Sequence, residues 1–189
     1  ASDVYKRQEE GDPVMTAHVA HGLKIASNTV NVPEGMISGA VRWLKNYQER
    51  QTALLEQGDK FRKLEQLPDR PGKKEALRKL GNYRLTASAT DTLVYSVLAE
   101  CGVKNLPMER YLFRDRLELP VISQIQLAEI LLDAHRMDDF KKVMPIISQF
   151  LQQDDSLQTA WLRLPNEGYW WRWYGSLSLI HISEPTRLR

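Results

Sequence analysis

The stretch SATDTLVYSVLAECG, residues 88–102, predicts a strong, apolar helix. Ser88 or Asp91 can cap its first turn, because a short polar side chain there accepts a bond from a free backbone N–H. Apolar residues then recur at helical spacing, and glycine stops the pattern at position 102. The apolar positions are Leu93, Val94, Val97, Leu98 and Cys101.

The same pattern continues on both sides of this stretch and predicts an all-α fold. Asp12 and Pro13 mark a helix start, as a capping Asp followed by a first-turn Pro does. Pro145 should kink the last helix or delay its start. A loop is predicted over residues 67–73. The charged segment 49–67 is predicted to be helical, with a break near Gly58. The remaining predicted helices cover 13–26, 33–47, 74–83, 107–116, 120–136 and 138–153.

Three of these helices end alike, at Ala26, Cys101 and Ala134, each with a Leu three residues earlier. Each is followed by a short connection and a second, more charged helix. Helical hairpins in series are typical of solenoids and closed toroids. We therefore expect hairpins forming part of an α/α toroid, with these three helices side by side as its inner layer.

The two ends of the chain are predicted to be translated adapter sequence and not part of the natural protein. One set of codons for residues 3–8 (DVYKRQ) is the reverse complement of codons for 177–182 (LSLIHI). The pair resembles the two strands of a transposon-based sequencing adapter, and SEPTR at 183–187 resembles its continuation. We expect adapter-like tails at 1–8 and 177–189, which pack on nothing, around a partial domain at 9–176.

Composition excludes several classes of protein. Without the two tails, 22 Lys or Arg stand against 22 Asp or Glu, so net charge gives no reason to expect a nucleic-acid partner. A run of about 20 apolar residues, which a membrane span needs, does not occur. The one cysteine, Cys101, cannot form an internal disulfide.

Few side-chain patterns point to chemistry. His18 and His21 share a helix face and could ligate a metal, but no third ligand is near, so lining an interior or capping polar groups is preferred. Glu129 and Asp133 form an i, i+4 carboxylate pair of a kind common on charged helices. Cys101 has no nearby His to activate it and reads as a buried thiol. No catalytic, cofactor or metal residue is therefore assigned.

The most unusual stretch is TAWLRLPNEGYWWRWYGS, residues 159–176, with four of the five Trp. Neither helical nor strand periodicity fits 169–174, where five of six residues are aromatic. Trp170, Trp171 and Trp173 are expected to be structural, as a plug closing the helical barrel. Stacking on a carbohydrate or another ligand is the alternative. The alternation of Arg and aromatic residues from Arg163 to Tyr174 could also stack bases, but a neutral chain without a basic stripe argues against it.

Together these segments resemble the bacterial alpha-2-macroglobulin family. The matching stretches are MTAHVAHGL (15–23), VPEGMISGAVRWLKNY (32–47), DTLVYSVLAECG (91–102), YLFRDR (111–116) and DDSLQTAWLRLPNEGYWWRWYGS (154–176), of which the last is the most specific. The family places them in its thioester domain, an α/α toroid. The resemblance implies a large secreted or periplasmic protease trap, in which an activated Cys–Gln thioester acylates the attacking protease.

The thioester motif Cys-x-Glu-Gln does not occur in this chain. Residues 54–57 (LLEQ) imitate it, but Leu54 has no nucleophilic sulfur. By the resemblance, the motif should precede the helix at 13–26. We therefore expect a piece of an endopeptidase inhibitor, not an enzyme, which meets proteases and other domains through its full-length parent in the periplasm or outside the cell. The alternatives are an α/α-toroid carbohydrate-active enzyme and a helical-repeat scaffold.

Overall fold

A computed structural model describes residues 11–68, 72–154 and 159–163. Helices dominate these residues, and the predicted all-α class is confirmed; the toroid stays a prediction. The aromatic run at 169–174 and both adapter-like tails lie outside the described residues. The helices are α1 (Pro13–Ala26), α2 (Glu34–Gln66), α3 (Lys73–Lys79), α4 (Ala89–Glu100), α5 (Leu106–Arg114), α6 (Val121–Asp133) and α7 (Met137–Ser148), and the strands are β1 (Leu151–Asp154) and β2 (Thr159–Leu162).

The chain divides after Leu119 into two compact units, the first with α1–α5 and the second with α6, α7, β1 and β2. In the first unit α4 packs against α1, α2 and α5. Ala17 and Ala20 of α1 are fully buried in this core. Such small side chains allow two helix backbones to approach closely, so α1 lies against the larger apolar residues of its neighbours. These include Leu44, Leu93, Val94, Val97 and Leu98.

Polar caps start α1 and α4 where the sequence predicted them, and a further cap, at Asn105, starts α5. The Asp12 carboxylate accepts bonds from Val14 and Met15 N–H at the start of α1. Ser88 begins α4 in a capping box, in which its hydroxyl accepts from Asp91 N–H while the Asp91 carboxylate accepts from Ser88 N–H. Asn105 caps α5 by accepting from Met108 N–H.

The predicted break near Gly58 is wrong, because α2 runs unbroken for 33 residues. Glycine usually weakens a helix interior, which is why the sequence suggested an interruption. Here the missing side chain makes room for another part of the backbone. A Cβ atom on Gly58 would lie 1.9 Å from the carbonyl oxygen of Arg84.

The helix endings that looked alike in the sequence fall into two kinds. At the end of α4, Val103 N–H donates to Leu98 O and Gly102 N–H to Ala99 O, with Gly102 at φ 79°. The end of α6 repeats this Schellman pattern, with Arg136 N–H donating to Leu131 O and His135 at φ 56°. By contrast, α1 ends at Ser27 in the right-handed region and lacks the motif.

In the second unit, α6 and α7 form a packed helical hairpin, and β1 pairs with β2 antiparallel. The sequence predicted helix through residue 153, but α7 ends at Ser148 and β1 follows. Pairing of Leu151 with Leu162, extended by a 2.7 Å bond from Arg163 N–H to Phe150 O, holds these residues in a strand. Pro145 lies inside α7 without delaying its start at Met137.

Candidate functional site

Among the described residues of the first unit, an extensive polar arrangement surrounds residues 83–88, which we call the crossing segment. It passes over α2 at Gly58, and Arg84 N–H donates a 3.0 Å hydrogen bond to Leu54 O of that helix. From α2, Arg62 also donates to Leu85 O at 2.9 Å. The segment is therefore fixed to α2 by its backbone.

An ion pair between the half-buried Arg84 and the buried Asp91 carboxylate anchors the crossing segment to α4. The Arg84 guanidinium donates to both oxygens of Asp91, at 3.1 and 2.7 Å, and to Gln51 Oε1 on α2 at 2.6 Å. The Asp91 side chain is fully buried. Burial disfavours the charged guanidinium, but hydrogen bonding and attraction to Asp91 outweigh it and raise the pKa of Arg84.

A second ion cluster fastens the same segment to α5. Asp115, just past the end of α5, accepts from Ala87 N–H at 2.8 Å and from both Nε and an Nη atom of Arg114, at 2.6 and 2.8 Å. Arg114 also donates to Asp59 of α2 at 2.6 Å and to Leu85 O at 2.8 Å. Two arginines thus tie three helices to one stretch of backbone.

Tyr111 completes this second cluster. Its hydroxyl donates to Asp59 at 2.9 Å, while the Arg114 guanidinium lies 4.7 Å from its ring centroid. Burial and the hydrogen bond to Asp59 raise the pKa of Tyr111 to about 12. The phenol is therefore a fixed hydrogen-bond donor at neutral pH.

Both clusters have the chemistry of structural contacts, which hold the crossing segment against the helices. General acid or base catalysis needs a carboxyl group that can exchange a proton with a reacting molecule. Asp91 and Asp115 instead accept bonds from guanidinium and backbone donors on both oxygens, and both are buried. These contacts leave little room for a substrate at either carboxylate.

The two predicted histidines have different surroundings. His21 Nδ1 lies 2.7 Å from Glu100 Oε2, which joins α1 to the end of α4. This hydrogen bond raises the pKa of His21 above its ordinary value, against the effect of burial. Burial, followed by repulsion from His21, lowers the pKa of His18. Within the described part of the chain, no three His, Cys, Asp or Glu residues are placed to hold a metal ion.

We expect the contact between His21 and Glu100 to make the stability of the first unit depend on pH. The folded pKa of His21 is raised above 6.5, so its contribution is complete below pH 6.5 and is lost as pH rises through the folded pKa. Chemical denaturation from pH 5 to 9 should show this loss. Glu100→Gln should remove it, and a wild-type-minus-variant difference that does not fall across this range would contradict the assignment.

The other candidate residues are not brought into a common site. Cys101 is half-buried, and burial raises the pKa of its thiol, although Lys24 opposes this effect. Glu129 and Asp133 both lie on α6, one half-buried and the other exposed. The stretch 54–57 lies inside α2, where Leu55 is fully buried and packs as an ordinary core residue.

Sequence reasoning missed the two arginine clusters. The sequence predicts Asp91 only as a helix cap, and it places Arg114 and Asp115 only within the stretch YLFRDR. Apart from the adjacent Arg114 and Asp115, the ion-pair partners lie 7 to 55 residues apart in the chain, and no local periodicity relates them. Gly58 was the local signal that the sequence offered, because a glycine inside a helical pattern costs stability and can have a packing reason.

Comparison of the chain with protein-family models, curated proteins and solved structures found no match. Among the described residues, no helix is both long enough and apolar enough to span a membrane.

Proposed function

We propose that this chain is part of an alpha-2-macroglobulin-like protease trap and contributes to endopeptidase inhibition as a piece of the thioester domain. The observation that carries this proposal is the set of resembling segments, above all residues 154–176 with their run of aromatic side chains. The helical make-up of the described residues supports it, because the thioester domain is an all-helical toroid.

The proposed role is that of a scaffold within the trap, not of an enzyme. The sequence contains no Cys-x-Glu-Gln motif, and its one cysteine, Cys101, is followed by Gly102 and Val103. Partner proteases and neighbouring domains would be met through the longer parent, in the periplasm or outside the cell. The clusters around Arg84 and Arg114 suit this role, because they hold helices rigidly together.

The carbohydrate-active enzyme alternative has less support. Such an enzyme needs carboxyl groups that converge on a substrate and remain free to exchange protons. Asp59, Asp91 and Asp115 all bind arginine side chains instead. No observation on the described residues favours a sugar platform.

The proposal can be tested on the parent protein. The coding sequence upstream of Glu9 should be recovered, expressed with the neighbouring domains and incubated with a broad-specificity protease. We expect a protease conjugate that survives denaturing electrophoresis and that methylamine pretreatment prevents, because methylamine consumes a thioester. A parent that leaves protease activity on large substrates unchanged, with or without a conjugate, would overturn the proposal.

A further inference from the structure

The sheet of β1 and β2 has two strands, so each strand has an edge that faces away from the other. The register places Trp161 opposite Gln152. In an antiparallel pair, residues that exchange backbone hydrogen bonds alternate with residues that do not. The bond from Arg163 N–H to Phe150 O fixes this alternation, so Trp161 bonds to β1 and its two neighbours in β2 do not.

The outward edge of β2 consists of the backbone N–H and C=O groups of Ala160 and Leu162, which point away from β1. Among the residues that the structure describes, none forms a hydrogen bond with these groups. Water can reach the edge, because Ala160 is exposed and Trp161, which lies between the two residues, is 46% exposed. The edge is therefore open to a further strand.

The sequence of β2 does not protect this edge. Natural edge strands usually carry a Lys, a Pro or a bulge that prevents pairing with another chain. The strand reads TAWL, without Pro or charge, and its one-to-one register with β1 leaves no bulge. Thr and Trp also favour strands, whereas β1 ends in Asp154, a residue type that strands disfavour. Of the two edges, β2 is therefore better suited to pair with another strand.

We propose that β2 pairs antiparallel with β2 of a second copy of this chain, so that two hairpins form one four-stranded sheet. The alternating donors and acceptors of a strand edge are complementary to the same edge after a two-fold rotation. One register bonds every outward group of both copies, because it places Ala160 opposite Leu162 of the second copy. In this register Trp161 lies on the two-fold axis, directly opposite its own copy. The pairing does not depend on the proposed role in a protease trap.

The position of Trp161 favours a second copy as the partner. On the new edge it occupies a site without hydrogen bonds, where opposite Cα atoms approach to about 4.5 Å. Aromatic pairs at opposite positions stabilise a sheet, and like charges there oppose it. A second copy brings an aromatic ring and no charge to this site. The four-residue contact is far smaller than the ~1,200 Å² of a stable interface, so we expect a weak, concentration-dependent dimer.

Sedimentation velocity of the full chain, from about 10 μM to about 1 mM, tests the proposal. We expect the dimer fraction to rise with concentration. Trp161→Lys should weaken self-association at least about tenfold, because the aromatic pair is lost and two lysines stand opposite each other. Trp161→Glu should have the same effect. An equimolar mixture of the two variants should associate at least about tenfold more tightly than either alone, since opposite charges then face each other.

Oxidative crosslinking tests the register. With Cys101 replaced by Ser, Trp161→Cys should form a disulfide dimer, because opposite Cα atoms about 4.5 Å apart are within disulfide reach. Thr159→Cys in the same background is the matched control. Thr159 would stand opposite Arg163 of the second copy, so the two thiols would lie about 14 Å apart along the sheet, too far for a disulfide.

A proline substitution tests the backbone contact. Ala160→Pro removes an N–H that points away from β1, so the hairpin should persist while the dimer is lost. Ala160→Thr keeps this N–H and should still dimerise. Circular dichroism should show the same helical content in all variants.

Three results would overturn the proposal. One is a chain that stays monomeric up to about 1 mM. Another is self-association that neither Ala160→Pro nor Trp161→Lys weakens, which would place the contact elsewhere on the chain. The third is equal crosslinking at positions 159 and 161, which would indicate random collision and not a fixed register.

Discussion

Replacement of Gly58 by Ala should lower the free energy of unfolding by about 2–3 kcal/mol, in the range measured for overpacked cores. The added methyl group would stand 1.9 Å from the Arg84 carbonyl oxygen. That oxygen belongs to backbone held by the bond from Arg84 N–H to Leu54 O and by the ion pair with Asp91, so it cannot move aside cheaply. The clash outweighs the gain of about 1 kcal/mol that alanine normally brings to a helix interior.

The same helix offers a matched control for this substitution. Gly39 also lies inside α2, and a Cβ atom there would meet nothing within 4 Å. Gly39→Ala should therefore raise the free energy of unfolding by about 0.5–1 kcal/mol. Urea denaturation of both variants measures the contrast. Equal stability of the two would show that the crossing segment does not lie on α2 at Gly58.

Removal of the buried carboxylate in Asp91→Ala should cost about 3–5 kcal/mol, the usual effect of breaking a buried ion pair from one side. Arg84 would lose its two hydrogen bonds to the carboxylate, and Ser88 would lose one half of its capping box. The exposed pair of Glu75 and Lys79 provides the comparison. Glu75→Ala should change stability by less than about 1 kcal/mol, because water screens such pairs.

A double substitution separates the contribution of the ion pair to stability from the contribution of the helix cap. Asn at position 91 can still accept from Ser88 N–H, and Gln at position 84 removes the charge that Asp91→Asn would leave uncompensated. The variant Arg84→Gln/Asp91→Asn should therefore be more stable than the sum of the single losses predicts, by about 1 kcal/mol or more. Strict additivity in urea denaturation would mean that Arg84 and Asp91 do not interact.

Local sequence patterns determined the helices and their starts. Asp12, Ser88 and Asn105 act on backbone N–H groups two or three residues away, so their effect can be read from adjacent positions. The glycine at position 102 similarly ends α4 because the left-handed conformation there suits a residue without a side chain. His135 reaches the same conformation at the end of α6 without this signal, and was not foreseen.

Contacts between distant residues decided the rest. Helix α2 continues through Gly58, where the backbone of Arg84 packs closely against it. Residues 151–154 form a strand instead of a last helical turn because they pair with β2. The fastening of Asp59, Asp91 and Asp115 by two arginines depends on side chains up to 55 residues apart. Sequence alone determines where helices form and begin, since caps and periodicity act within a few residues. Only the tertiary structure decides which carboxylates bind arginine side chains, because that depends on where the folded backbone brings each charge.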